Sequence, residues 1–445
     1  MTDSNALTTN KKIHASPTKD FFVKMITRDI ALEDCIFDLL DNAIDGAHRQ
    51  SKVKEDNEPL KGFHADITFD TKRFKITDNC GGIRLSDAID YAFHFGRRPD
   101  SPADVEGGIG LYGIGMKRAI FKIGRKADVV SVADSCFSVS VDVEEWGKKD
   151  ESDWDFDYED CDTTDEKGTR ITISNLNPGM DTAFGDPVFR NELLKLIARD
   201  YAFFIDKGFS ITVCGHAAPS YKYQMKSSGQ IAPAFDAYLD DGVSVRIVAG
   251  LVDDLPDDVP DELTPDMVDR FGWYVVCNDR VVLPADKSDK TIWGDDGYKV
   301  WHGQYNGFAG FVFFDCKDQS KLPWTTTKRE VDGASPLYRR ALAKMKIVTS
   351  DFSSYTNRRK GDLEAAKEAE KGMTQVDVYR VEKAQPLKLP TLSTSSDKTQ
   401  YANIMYKRPL AEVSEIRDHL GMRTMSYRDV GIHTFEYFRK MELGK

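Results

Sequence analysis

Leu32, Ile36, Leu39, Leu40, Ala43 and Ala47 recur at helical spacing, and the pattern predicts a helix over residues 20–50 with one defined core face. Its polar face carries Asp34, Asp38, Asp41, Asn42 and Asp45, points away from that core, and has no basic residue to offset the four carboxylates. Asp34/Asp38 and Asp41/Asp45 stand four residues apart, a like-charge spacing that costs about 0.2–0.5 kcal/mol per pair in an isolated helix. A bound cation would relieve that repulsion. Taken alone, the helix is read most simply as a solvated acidic face, and only the segments downstream change that.

Residues 64–70 and 73–77 alternate like two short strands, and Asp78-Asn79-Cys80-Gly81-Gly82 is a turn. Helical spacing returns over 85–95, residues 96–108 form a Gly/Pro/Asp loop long enough to move, and a helix follows at about 116–122. Residues 127–143 alternate as paired strands, the acidic stretch 144–166 reads as an exposed hairpin or insertion, 168–176 as a strong strand and 188–204 as a helix. This order predicts an α/β fold, a two-layer sandwich ending near residue 205. Strands resume at 209–214, 243–251, 272–277, 280–283 and 308–314, which predicts a second α/β domain over 206–345. A long helix over 336–372, broken near 349–354, supplies a helical extension (346–374). The Pro/Ser/Thr-containing segment 375–400 reads as a linker, and 401–445 as a small helical cap in which His433 and Phe435 to Phe438 lie on a packed helix.

Composition narrows the class without identifying the chemistry. The 445 residues are 40% hydrophobic and 30% charged, ordinary for a soluble protein, with no apolar run near the ~20 residues a membrane span requires. The polar start, without a signal-type apolar segment, implies a cytoplasmic protein. Seven scattered cysteines without a CxxC pair indicate neither a disulfide framework nor a zinc site. Net charge is −12, unevenly spread: from Ser335 onward 21 basic residues face 14 acidic ones, a surplus of 7 against a deficit of 19 before it. The tail is thus the basic part, but its surplus is modest and lacks the aromatic/basic interleaving of RNA-binding segments.

Gly110-Leu111-Tyr112-Gly113-Ile114-Gly115-Met116-Lys117 sets three glycines ahead of a helix that opens with Lys117 and Arg118. Glycines let backbone N–H groups approach an anion, and a helix N-terminus adds about half a positive charge aimed at it. The segment fits neither the GxxxxGK[ST] loop nor a dinucleotide fingerprint. Its order matters more: acidic helix, Asp-rich glycine turn and phosphate loop follow one another within 120 residues. With DLLDNAIDGA at 38–47, DNCGGI at 78–83, GLYGIGMK at 110–117 and Gly168-Thr169, the first two hundred residues resemble the GHKL (Bergerat-fold) ATPase superfamily, which includes gyrase, MutL, the MORC proteins and the large dimeric heat-shock chaperone.

The resemblance implies ATP and Mg²⁺ as cofactors and assigns roles by position. Asn42 would coordinate Mg²⁺; Asp38 stands where the family has its general base, usually glutamate, so hydrolysis is expected to be slow with the shorter aspartate. Asp78 stands at the adenine-reading aspartate, with Gly82 in the same box; Cys80 replaces a family glycine, and a positive φ there would be strained. Gly110, Gly113, Gly115 and Lys117 would form the phosphate loop, and Thr169 would support the adenine-side water network. In the second domain, residues 277–280 and 322–328 are similar to the transducer of gyrase and MutL, where a loop lysine reaches the γ-phosphate; Lys328 is the choice and Lys321 the alternative. Trp273, Trp293, Trp301 and Trp324 in that domain are read as core and interdomain packing.

These readings imply an ATPase whose lid (Gly96 to Gly115) and transducer move with nucleotide, dimerising in the ATP state and acting on a protein client or effector subunit, with no membrane partner. A DNA-acting clamp component is the alternative, DNA being unsupported by overall charge. A nucleotide sensor or histidine kinase is the third reading, and the kinase lacks a phosphoacceptor helix, since His14 lies in a polar start.

Overall fold

The computed structural model of the chain describes residues 17–51, 58–98, 107–110, 113–162, 166–256, 269–295, 297–392, 404, 407–421 and 425–444. His14 lies outside them, as do 99–106 and 111–112 of the expected lid. The chain divides into two units, residues 1–392 and 393–445.

The helix expected over 20–50 is two helices, α1 (Lys19–Arg28) and α2 (Leu32–Gln50). The Thr18 hydroxyl caps α1 by accepting from Phe21 N–H at 3.3 Å, and the chain leaves the helix at Asp29 and is extended at Ala31. Neither glycine nor proline marks this break. A distant attachment accompanies it: the buried Lys19 Nζ donates to the carbonyls of Trp146, Lys149 and Asp150 at 2.8–3.2 Å.

Then come β1 (His64–Phe69), β2 (Arg73–Asp78), α3 (Leu85–Asp87) running into a π-turn at Ala88–Ala92, α4 (Gly115–Ile123), β3 (Gly124–Val132), β4 (Cys136–Asp142), α5 (Val143–Lys148), β5 (Tyr158–Asp160) and β6 (Gly168–Leu176). After α6 (Met180–Gly185), α7 (Pro187–Asp200) and α8 (Ala202–Asp206), the strands β7 (Ser210–Val213) and β8 (His216–Ala217) return to the same sheet. Its order is β5-β4-β3-β6-β2-β1-β7-β8, with β1 and β7 parallel. The first sheet therefore runs to residue 217, past the expected end near 205. Parallel pairing of β7 needs a crossover, and α6 to α8 supply it. Alternate residues Ala65, Ile67, Phe74, Ile76, Val129 and Ile173 face a core shared with Ile36, Leu40 and Ile44 of α2 and Ala119 and Ile120 of α4. This is a mixed α/β sandwich followed by further α/β structure.

Most of the described residues of 144–166 are exposed, as expected of a hairpin or insertion, but the segment is anchored through Trp146. Trp146 is buried in a ring cluster with Phe95, Phe121, Trp154 and Phe156, centroids 5.4–5.8 Å apart around it. The acidic composition hid this because the aromatic residues are few and irregularly spaced. Cys136 and Cys161 form a disulfide that joins β4 to the end of β5, Cα atoms 5.2 Å apart. The expectation of no disulfide framework missed it because only the fold brings cysteines 25 residues apart together.

A second sheet has the order β10-β11-β14-β12-β13, from β10 (Ala234–Asp240), β11 (Val243–Leu251), β12 (Gly272–Cys277), β13 (Arg280–Asp286) and β14 (Phe308–Asp315), with β12 and β14 parallel. Both central strands are buried on both faces, so they read as continuous apolar runs rather than alternating ones. One face packs on α9 (Pro336–Gly361), where Trp273 Nε1 donates to Thr349 Oγ1 at 3.1 Å. The expected break at 349–354 is absent: Thr349 and Ser353 are buried and return their hydroxyls to the carbonyls of Met345 and Ser350, so the polar residues are satisfied inside an unbroken helix. The helix ends at Gly361, before α10 (Leu363–Glu370).

The other face packs Tyr274, Val276, Phe311 and Phe313 against Phe203, Tyr223, Val378 and Val381. Residues 374–392 therefore do not behave as a linker. Here β15 (Thr374–Asp377) pairs with β9 (Gln224–Ser227), and Gln385 and Lys388 bridge to Phe235 and Ala232. Trp273, Trp293 and Trp324 are buried, and Trp301 stacks edge-on against Trp293 at 4.7 Å.

In the unit 393–445, α11 (Leu410–His419) and α12 (Tyr427–Glu442) contact each other and leave Phe435, Tyr437, Phe438 and Met441 exposed. His433 lies on α12. Among the described residues no helix is long and apolar enough to cross a membrane.

Candidate functional site

The acidic face of α2 is not solvated. Asp38, Asp41 and Asp45 are buried, and each of the four carboxylates has a partner from another part of the chain. Asp34 accepts from Arg329 at 3.0 Å. Asp38 Oδ2 takes both Nε (2.9 Å) and Nη2 of Arg118. Asp41 accepts from Tyr201 OH at 2.7 Å and Lys328 Nζ at 2.6 Å, with Arg280 Nε 3.7 Å away. Asp45 caps the backbone N–H groups of Ile109 and Gly110, both at 2.7 Å. This corrects the reading of a solvated acidic face, because the neutralising groups lie 64 to 295 residues away and no local window contains them. Among the described residues no group of three or more His, Cys, Asp or Glu side chains could hold a metal ion. Burial raises the pKa of Asp38 despite the opposing pull of Lys328 and Arg118, and burial likewise raises that of Asp45.

Beside α2 lies a cleft of about 720 Å³, into which Asp38, Asn42, Asp78, Gly82, Gly110, Gly113, Gly115, Lys117, Thr169 and Lys328 all open. Asn42 alone on this stretch of α2 is exposed, its amide oxygen close to Gly110. The glycines serve close approach. A side chain at Gly115 would press on Asp38 at 3.0 Å, one at Gly110 would strike the Asp45 carboxylate at 2.5 Å, and Gly113 has φ +64 against Gly96.

At the other end, Asp78 Oδ1 accepts from the N–H groups of Cys80 (2.8 Å) and Thr169 (3.3 Å). Burial pushes its pKa up to about 6. Cys80 carries no positive φ; the left-handed positions fall on Gly81 (+91) and Gly82 (+69), so the departure from glycine at Cys80 costs no backbone strain. Ser131 holds the turn from β3, its hydroxyl accepting from Ile83 N–H at 2.6 Å and donating to Ile83 O. Gly168 permits the approach of β6, since a Cβ there would lie 1.9 Å from the Asp78 carbonyl oxygen.

Lys117 was expected to face phosphate, but its buried Nζ donates to the carbonyls of Ala92 (2.8 Å) and Gly113 (2.5 Å), the two flanks of the loop. Burial without a carboxylate partner pulls its pKa down to about 7. Lys328 enters from the second sheet's side on a residue with φ +54, a conformation uncommon for lysine. Burial opposes its charge, but Asp41, Asp38 and Asp45 outweigh that and hold its pKa above the ordinary lysine value. Lys321 is tied to Asp241 (2.8 Å to the carbonyl) instead.

Four contributors received no role from the sequence: Arg118, Asn278 and Arg280, which lie in motifs named above, and Tyr201, which lies in none. Asn278 and Asp279 both have positive φ (+46 and +64), forming the two-residue turn between β12 and β13. That turn aims Asn278 Nδ2 at the carbonyl of Gly108 (2.7 Å) and puts Arg280 over the Tyr201 ring at 4.2 Å. The Asn-Asp pair between apolar runs was the available signal for Asn278, and the position after Lys117 was that for Arg118. Nothing local marks Tyr201.

Residues 30–169 match the family model described as histidine kinase-, DNA gyrase B- and HSP90-like ATPase. No curated protein matches the chain. The matched span starts at the head of α2, takes in the Asp78 turn and the glycine loop, and ends on Thr169. Over residues 30–169 the chain is therefore similar to the ATPase domain of the GHKL superfamily.

Proposed function

We propose that this protein is a slow, Mg²⁺-dependent ATPase that works as a conformational switch. The observation that carries the reading is the convergence on one cleft of a buried carboxylate (Asp38), an exposed amide (Asn42), a half-buried carboxylate at the other end (Asp78) and a lysine from the second sheet's side (Lys328). Asp78 would accept from the exocyclic amine of adenine and disfavour guanine, which presents a carbonyl there. Mg²⁺ binds through one or two protein oxygens plus substrate phosphates and water rather than in an all-protein cage, so a lone Asn42 oxygen fits the ion. Bound there, the ion would neutralise phosphate charge. Asp38 would take the proton of a water whose oxygen attacks the γ-phosphorus as the bond to the ADP oxygen breaks.

Lys328 would sense the third phosphate, and Asn278 at Gly108 gives the second sheet a grip on the base of the lid. Closure of Gly96 to Gly115 and ATP-dependent dimerisation complete the switch, with a protein client or effector subunit as its target. Titration of ATP and GTP with and without Mg²⁺ tests the site: ATP should bind in preference, and Asp78→Ala should remove that binding. Undiminished ATP binding in Asp78→Ala would exclude the adenine role. Sedimentation with a non-hydrolysable ATP analogue tests the dimer, and a monomer throughout would count against it.

A further inference from the structure

Three carboxylates of α2 hold groups that a triphosphate would itself attract: Arg118 on Asp38, Lys328 on Asp41, and the N–H groups of Ile109 and Gly110 on Asp45. These donors are thus already held by internal anions. Among its other cations, Lys117 is turned onto two carbonyls, Arg84 holds Asp87 and Lys167 holds Asp134.

Arg118 stands apart from these. It lies in the first turn of α4, directly after the glycine loop, lines the cleft, and is buried. Its Nε and Nη2 converge on the single oxygen Asp38 Oδ2, and among the described residues no other acceptor is bonded to it. A guanidinium has five donors in a rigid fork suited to two oxygens of one phosphate, so this pairing leaves most of its capacity unused. It holds the very carboxylate that the proposed reaction needs free.

We infer that Arg118 is a γ-phosphate ligand held in reserve by Asp38, so that arrival of a third phosphate draws the guanidinium away and frees the carboxylate to act as base. The inference rests on the ATPase reading above and adds a gate to it. ADP, lacking the third phosphate, would leave Arg118 on Asp38 and the base silent. Catalytic competence is then tied to the presence of substrate rather than to closure alone, and Arg118 is a catalytic residue in its own right.

The test is calorimetric titration of the full chain with ADP and with a non-hydrolysable ATP analogue. Arg118→Ala should weaken the analogue by about 10- to 100-fold, the worth of one or two charge-assisted hydrogen bonds, and leave ADP within about twofold. Asp38→Asn, which releases the guanidinium, should tighten the analogue several-fold without moving ADP. If stranding Asp38 prevents Arg118→Ala from folding, the double variant Asp38→Asn/Arg118→Ala removes both partners and should show the same selective loss relative to Asp38→Asn. Equal weakening of ADP and analogue, or weakening of neither, would overturn the assignment. A wild type that binds neither nucleotide would overturn the ATPase reading itself, which is a different result.

Discussion

The two ends of the cleft are built by different means. At the Asp78 end the parts are short and mostly backbone: a five-residue turn with left-handed Gly81 and Gly82, a serine from β3, and the Gly168-Thr169 step of β6. At the Asp38 end they are long charged side chains from three distant segments (Arg118, Arg280 and Lys328 to Arg329) meeting the carboxylates of one helix. A backbone-built end keeps its shape whatever is bound, whereas an end built from exchangeable ion pairs can rearrange when a competing anion arrives. That contrast suits a site that must hold adenine in one pose and respond to the number of phosphates.

The contrast can be broken first at Asp38. Asp38→Asn should lower the rate of phosphate release by roughly 10²–10⁴-fold, the usual worth of a general base, while retaining ATP binding. An unchanged rate would remove Asp38 from the chemistry. Next in size, Lys328→Met leaves Asp41 buried beside Tyr201 and Arg280 with its closest cation gone, and should cost roughly 3 kcal/mol in denaturant unfolding as well as nucleotide-dependent compaction. A variant as stable and as responsive as the wild type would show that the second sheet does not read the site through this residue.

The backbone-built end is sharpened by smaller changes. Gly168→Ala forces β6 away from the Asp78 carbonyl and should destabilise by about 1–3 kcal/mol, visible as a lowered Tm together with weaker ATP binding. Wild-type stability there would mean that the strands separate freely, against a backbone-fixed pocket. Finally, burial pushes the Asp78 carboxyl up to about 6. It is ionised and able to accept above that pH and protonated below it, so ATP affinity should fall as pH drops through 6, by up to about tenfold per unit well below it. In Asp78→Asn that acid-side slope should disappear, and its persistence would assign the slope to another group.

How much of this was legible from the chain depended on the range of the interaction. The helix face of α2, the β1–β2 pair, the glycine loop and the Asp78 turn all follow from periodicities and turn residues within windows of about ten positions. The acidic face was misjudged because its partners lie far along the chain, although the carboxylates themselves were evident. The segment 375–400 reads as a linker because prolines and small polar residues look alike whether they cross solvent or lie against a sheet; within its described part, 375–392, the buried Val378 and Val381 and the half-buried Tyr379 make the difference. Residues 349–354 in α9 erred in the same direction, since buried hydroxyls satisfied within the helix look like a break when only composition is counted.

The sequence by itself determined the α/β character of the chain, the order of its motifs and the residue types that open into the cleft, because those properties are set by local backbone preferences and side-chain chemistry. Only the tertiary structure decided the charge state of the site. Whether an aspartate is a vacant ligand, a capped anchor or a paired base depends on which cation stands within about 3 Å of it. For Asp38 and Asp41 those cations arrive from positions 80 and 287 residues away, a distance over which spacing along the chain carries no information.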